Sequence, residues 1–211
     1  LEHAVEDYRA ALRAVYPHAD YVTINISSPN TAGLRELQNQ ENLDELLRAL
    51  KAEQAALVKT HDHYVPIAVK IAPDLNDDQI AAIATLVQKH RIDAVIATNT
   101  TVTRPGLEGE KLAQQAGGLS GRPLKTLSTS VIRRLYTHLQ GKIPIIGVGG
   151  IETAEDAWDK LVAGADLVQI YSVLIYEGPG IVREIVEGLA NKVTASGCAT
   201  LTEAVAKARN I

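Results

Sequence analysis

Five short runs of aliphatic and β-branched residues recur along the chain, at 21–27, 66–72, 94–100, 143–150 and 167–172. Each is followed by a longer stretch with helical spacing, such as 42–60 with Leu43, Leu46, Leu47 and Leu50 on one face. The runs are too continuously apolar for strands with one solvated face, so they predict a parallel sheet built from βα units, with both faces covered. A helix with Ile80, Ile83, Ala84 and Val87 on its stripe starts after an N-cap at Asn76, and Thr153 to Asp156 has the spacing of a capping box. Further helical stripes cover 4–16, 131–139 and 181–189, and a short one begins near Thr200.

Two architectures fit such a pattern, an open doubly wound sheet and a β/α barrel. An open nucleotide-binding sheet carries its glycine-rich phosphate loop at the first βα turn. Here the glycine-rich turn, Gly147-Val148-Gly149-Gly150, falls at the fourth strand, and nearly every strand ends in polar residues. That favours a barrel, whose site collects residues from many strand ends. Five strands are fewer than eight, so the expectation is the last five βα units of a (β/α)8 TIM-type barrel over residues 1–193. Residues 194–211 read as a C-terminal tail with a short helix. Residue 1 is Leu and the chain contains no Met, which reads as part of a longer natural chain.

Lys and Arg number 21 and Asp and Glu 25, and no basic run or stripe is present, which argues against nucleic acid as a partner. A lone Cys198 excludes an internal disulfide. No stretch approaches the roughly 18 uncharged apolar residues of a membrane-spanning helix. His61 and His63 flank Asp62 on a loop, a spacing better suited to a solvated turn than to a metal, and neither zinc, a hydrolytic triad nor a P-loop is supported.

The chemistry gathers at the strand ends. Asn25-Ile26-Ser27-Ser28-Pro29-Asn30-Thr31 follows the first strand, and Thr98-Asn99-Thr100 ends the third. These amides and hydroxyls suit a small polar heterocycle, or serve as local caps. Lys70 sits inside an apolar strand, where a lysine needs an anionic partner or must reach solvent along its stem. The glycine turn before a helix can hold a phosphate or be only a tight turn, and Tyr171 and Ser172 end the next strand beside it. With no histidine or carboxylate pair in place, the candidate base is a hydroxyl. The 101–127 stretch, with Pro105-Gly106, Gly117-Gly118 and Gly121-Arg122-Pro123, is long enough to be functional or mobile.

Six motifs then occur in order: Asn25 to Thr31, Val69-Lys70-Ile71-Ala72-Pro73-Asp74, Ile96 to Thr101, Gly117-Gly118-Leu119-Ser120-Gly121-Arg122-Pro123, Ile146 to Ile151, and Val168-Gln169-Ile170-Tyr171-Ser172. Together, from about Tyr21 to Val193, the chain resembles the dihydroorotate dehydrogenases, and specifically the membrane-associated, quinone-linked class. The class rests on Ser28, where the soluble classes carry Cys. The resemblance implies an FMN-dependent barrel that oxidises dihydroorotate to orotate in pyrimidine biosynthesis and passes electrons to a quinone. By motif, Ser28 is the catalytic base, and Asn25, Asn30, Asn99 and Thr100 hold substrate. Asn25, Lys70, Thr98, Gly121, Gly150, Tyr171 and Ser172 hold FMN. The resemblance also implies peripheral attachment to the cytoplasmic face of a bacterial cell membrane, and that the first barrel strands and the membrane- and quinone-binding helices lie outside these residues. Another FMN- or phosphate-binding barrel enzyme, or an inactive barrel fragment, would share much of this pattern.

Overall fold

The computed structural model describes residues 3–104, 106–107, 109–111 and 113–209; Pro105 of the expected Pro105-Gly106 turn and both chain ends lie outside them. The strands are β1 (Val22–Asn25), β2 (Ile67–Ile71), β3 (Ala94–Ala97), β4 (Ile145–Val148) and β5 (Leu167–Gln169). The helices are α1 (Ala4–Val15), α2 (Gln40–His61), α3 (Asp77–Lys89), α4 (Lys125–Leu139), α5 (Ala154–Ala163), α6 (Ser172–Glu177), α7 (Gly180–Ser196) and α8 (Leu201–Arg209). The expected stripe of α2 is fully buried, and both expected caps form. Asn76 accepts from the Gln79 amide at 2.9 Å, and Thr153 accepts from the Asp156 amide at 3.2 Å. The strands are shorter than their apolar runs because the polar residues at their ends leave the ladder and turn into loops. Tyr171-Ser172, expected to end the fifth strand, instead opens α6.

All strand pairs are parallel and the spatial order is β1-β2-β3-β4-β5. A doubly wound sheet would reverse order and split its helices between two faces. Here α1 packs on α2, α2 on α3, α3 on α4, α4 on α5 and α5 on α7, one continuous layer. Sequential order with one helical layer is the arrangement of a β/α barrel, and the chain forms five consecutive units of one.

Strand alternation divides the residues between the faces. Ile24, Ile67, Val69, Ile71, Val95, Ala97 and Ile145 face the helices and join the main core with Leu43, Leu46, Ile80, Ile83 and Val131. Ala68, Ile96 and Val148 form a separate small cluster on the inner face, with Ala94 and Ile146 packed against it. That inner face is covered only in part: on β5, Leu167 is 60% exposed. The helix α8 packs on α5 and α7, where the Arg209 guanidinium caps the end of α5 by donating to the Leu161 carbonyl at 2.6 Å and stacks on Tyr136.

The strand starts opposite the polar ends are clamped by a repeated device. The Asp93 carboxylate accepts from the Ile67 amide at 2.8 Å while its own amide donates to the Ile67 carbonyl. Asp166 does the same to Ile145, at 2.9 Å and 2.8 Å. Each aspartate thus fixes the register of one strand against its predecessor. Nearby, the rings of His61 and His63 lie 5.7 and 5.5 Å from the buried Tyr16 ring, a packing role.

Replacing Asp166 with Ala leaves the Ile145 amide without its side-chain acceptor, which is expected to cost about 1–3 kcal/mol. In the full-length protein this is read as a lower denaturant midpoint at unchanged slope. An unchanged midpoint would show that the clamp does not support the sheet.

Candidate active site

A cleft of about 710 Å³, open to solvent, lies at the C-terminal ends of β2 to β5. Lys70, from β2, enters it from the inner face. It is half-buried, and its backbone carbonyl accepts from the Ser27 hydroxyl at 2.7 Å. Among the described residues its ammonium has no hydrogen-bond or ion-pair partner, and burial pushes its pKa below the ordinary lysine value. The sequence asks for an anionic partner for this lysine, and no side chain described here supplies one. The cation is free to meet a ligand.

Opposite, β4 runs into Gly149 and Gly150, with φ of +117° and +68°, left-handed values that favour glycine. A Cβ at Gly150 would lie 2.6 Å from the Lys125 Cα, so the start of α4 packs directly behind the turn. Gly121, with φ of +76°, faces Ser172, whose hydroxyl lies 2.9 Å from that of Ser120. The loops after β3, β4 and β5 therefore meet around the cleft, and Tyr171, 75% exposed, stands at its rim. Thr98, Asn99 and Thr100 complete the wall.

The loop after β1 lies beside this wall. The Asn99 amide nitrogen donates to the Asn25 side-chain oxygen and to the Ser27 hydroxyl, each at 3.1 Å, and the Thr100 amide donates to the Asn99 side-chain oxygen at 2.8 Å. The two adjacent serines are thereby distinguished. Ser27 is fully buried and committed to Lys70 and Asn99, whereas among the described residues the Ser28 oxygen accepts only from the Asn30 amide, at 3.2 Å. Asn25, Asn99 and Thr100 are thus brought together with Lys70 and Thr98. Ser28 and Asn30 sit on the adjoining loop rather than on the cleft wall.

Two residues that periodicity did not reveal hold these loops. Arg35 donates to the Ser27 carbonyl at 3.1 Å, to the Thr100 carbonyl at 2.9 Å and to Asp74 at 2.9 Å. Asp74 in turn accepts from the Thr101 hydroxyl and from the Val102 amide. One ion pair therefore ties together the loops after β1, β2 and β3. Arg35 lies on a 3₁₀ turn, Leu34–Gln38, which leaves no stripe to read. The third unforeseen residue is Lys160, on the buried stripe of α5 with Ala157 and Leu161; a lysine at a buried i, i+3 position was the available signal. Arg104 donates to the carbonyls of Ala113, Gln115 and Gly117 and so braces the long loop. That loop returns over Thr100: a Cβ at Gly118 would fall 1.8 Å from the Thr100 hydroxyl oxygen. Among the described residues no group of three His, Cys, Asp or Glu could hold a metal, and no helix is long and apolar enough to cross a membrane.

The family model for dihydroorotate dehydrogenase matches residues 2–193. A dihydroorotate dehydrogenase (quinone) of Thiobacillus denitrificans is 60% identical over 189 residues, covering 90% of this chain and 56% of the relative. One from Nitrosomonas eutropha is 57% identical over 197 residues, covering 93% and 58%. A crystal structure of DHODH from Eimeria tenella in complex with ferulenol superposes with a TM-score of 0.89 at 36% identity, covering 95% of this chain and 57% of that one. The chain spans a little over half the length of the curated relatives it matches.

The Arg35–Asp74 pair is partly buried. Both members hold the loop after β3, Arg35 at the Thr100 carbonyl and Asp74 at Thr101 and Val102, so they are expected to act as a unit. An Arg35→Gln, Asp74→Asn double-mutant cycle on the stability of the full-length protein should give a coupling energy of about 0.5–3 kcal/mol. Additive losses would show that the two side chains hold their loops independently.

Proposed function

The chain belongs to the dihydroorotate dehydrogenase family, and on that premise we propose that it carries most of the flavin and substrate site of an enzyme that oxidises dihydroorotate to orotate, with FMN as cofactor and a membrane quinone as electron acceptor. The observation that carries this reading is the half-buried, unpartnered Lys70 ammonium facing a glycine turn across one cleft. An anion with a flat polar body and a phosphate tail satisfies both features. The quinone is supported by the relatives' name; peripheral attachment to the cytoplasmic face of a bacterial membrane is part of the same proposal.

FMN, when bound, supplies the centre that accepts a hydride from C6 of the substrate. Lys70 would hold the pyrimidine edge of the flavin and favour negative charge there. Gly121, Gly150, Tyr171 and Ser172 would hold the phosphate, with no Cβ to obstruct it at either glycine. Thr98, 1% exposed and bonded through its amide to the Val148 carbonyl at 3.0 Å, would help hold the flavin, and Asn25 would touch both ligands. Asn25, Asn30, Asn99 and Thr100 present the amides and hydroxyls that orient a small polar ring.

Ser28 would take the C5 proton. Of the two serines it is the one whose hydroxyl proton and remaining lone pair are not already committed within the described residues. Its polar surroundings, rather than a paired histidine, must assist it. The loop braced by Arg104 lies over Thr100, where it would help exclude water from that proton transfer. The partly open inner face, with Leu167 exposed on β5, favours the view that turnover needs a complete barrel rather than these five units alone.

In the full-length protein, Ser28→Ala is expected to retain FMN and to slow flavin bleaching by dihydroorotate by about 10²–10⁴-fold. Anaerobic stopped-flow absorbance measures this, and near-normal bleaching would remove Ser28 from the role of base. A wild-type protein that lacks flavin bands, or whose bands dihydroorotate leaves unbleached, would favour a different phosphate-binding barrel enzyme.

Lys70→Ala is expected to lower the flavin reduction potential and weaken FMN retention. Burial lowers the Lys70 pKa in the free protein, and the negative charge that reduction places on the pyrimidine edge would favour the protonated lysine. The difference in reduction potential between wild type and mutant should therefore shrink as pH rises through the Lys70 pKa. Potentiometry against pH checks both, and a mutant with unchanged potential and unchanged FMN retention would place Lys70 outside the flavin site.

A further inference from the structure

Lys160 is fully buried between α4 and α5, and among the described residues no carboxylate contacts its ammonium. A buried lysine without a paired charge is rare and costly, and its three protons must all find acceptors. They do, on one turn of a neighbouring helix: the Lys125 carbonyl at 2.9 Å, the Thr129 hydroxyl at 2.6 Å and the Ser128 hydroxyl. Ser128, itself fully buried, lies 3.0 Å from the Gly149 carbonyl and can donate to it. The chain of contacts therefore runs from α5, through the first turn of α4, to the glycine turn. Gly147 makes room for it, since a Cβ there would lie 3.2 Å from that of Lys160.

The charges around this group are distributed unevenly. Lys125 is neutralised by Asp156 at 2.5 Å and Asp159 at 3.0 Å, and Arg122 by Glu152 at 2.6 Å. Lys160 faces Lys125, Asp156 and Asp159 without an ion pair of its own, so its charge remains available behind the turn.

We infer that Lys160 is a positioning residue for the phosphate group at Gly149 and Gly150: it locks the first turn of α4 against the turn from behind and supplies an uncancelled buried charge there. The inference rests on the reading of that turn as the FMN phosphate site. It adds a residue that touches neither the flavin nor the substrate. Burial and the neighbouring Lys125 ammonium lower the Lys160 pKa to about 7, opposed by Asp156 and Asp159. An anion at the turn favours the protonated form, and by reciprocity the protonated form favours the anion.

The test compares FMN with riboflavin, which lacks the phosphate, on full-length protein stripped of flavin, with binding followed by flavin fluorescence. Lys160→Met should reduce the preference for FMN over riboflavin by roughly 5- to 150-fold, the usual range for a coupled site, while riboflavin binding stays near wild type. The wild-type preference should also decline between about pH 7 and 9, above the phosphate's own second pKa near 6, and the mutant preference should not. An unchanged preference in Lys160→Met, or an equal loss for both flavins, would overturn the inference. If that variant does not fold, Ser128→Ala, which cuts the hydroxyl link alone, decides on the same ratio. A wild type that binds riboflavin as tightly as FMN would instead overturn the reading of the turn as a phosphate site.

Discussion

Parallel pairing cannot be closed by a hairpin, so each strand of this sheet must be followed by a segment that crosses back over it. Because β1 to β5 pair in sequence order, those crossings place α2, α3, α4 and α5 in one layer, which α7 continues after β5. They also deliver every C-terminal strand end to the same edge. The Asn25, Lys70, Thr98, Gly149 and Tyr171 neighbourhoods come from five separate places in the chain. They are neighbours because the register allows nothing else; Asn25, for example, lies directly beside Lys70 across β1 and β2. The stability end and the chemical end are thereby separated, with the Asp93 and Asp166 clamps at one and the cleft at the other.

At the chemical end, polar groups divide into those used up in holding loops and those left available. Ser27, Thr101 and Ser128 are fully buried and spend their hydroxyls on carbonyls or carboxylates of neighbouring segments. Arg35 and Asp74 neutralise each other while fixing the Ser27 and Thr100 carbonyls. A free charge in that position would compete with the ligand, whereas a neutral pair can anchor three loops without doing so. Ser28 sits one residue from this scaffold and is left out of it. Its position is set by its neighbours, and its hydroxyl remains open to a substrate.

Much of this was legible in the residues. Leu43, Leu46, Leu47 and Leu50 announced α2 because a stripe on a long helix has only one consistent period, and the caps at Asn76 and Thr153 satisfy amides that no other group could reach. The glycine turn was visible for a similar reason: positive φ at Gly149 and Gly150 leaves little other chemistry open. Tyr171-Ser172 resembles a strand end in sequence because local pattern cannot tell a strand's last residues from a helix's first when both follow an apolar run. Arg35 was invisible because its value lies in three contacts to distant loops, and spacing carries no record of those. Lys160 could have been found, since a lysine on a buried stripe contradicts its own helix, but its acceptors could not.

Lys70 and Lys160, both without a carboxylate partner among the described residues, share one physical condition. Each is a cation withdrawn from water, and burial lowers the pKa of both. A protein that needed only packing at these positions could use an aliphatic residue and avoid that cost. One stands in the cleft and the other behind its glycine turn, so they bracket the space between them. An elongated ligand with negative charge at both ends offsets both desolvation costs at once. A neutral ligand, or one charged at a single end, offsets at most one. The flavin mononucleotide proposed here carries its permanent charge at the phosphate, on the Lys160 side, and would become anionic at the Lys70 end only when its ring is reduced, so the first cost is offset by binding and the second by reduction.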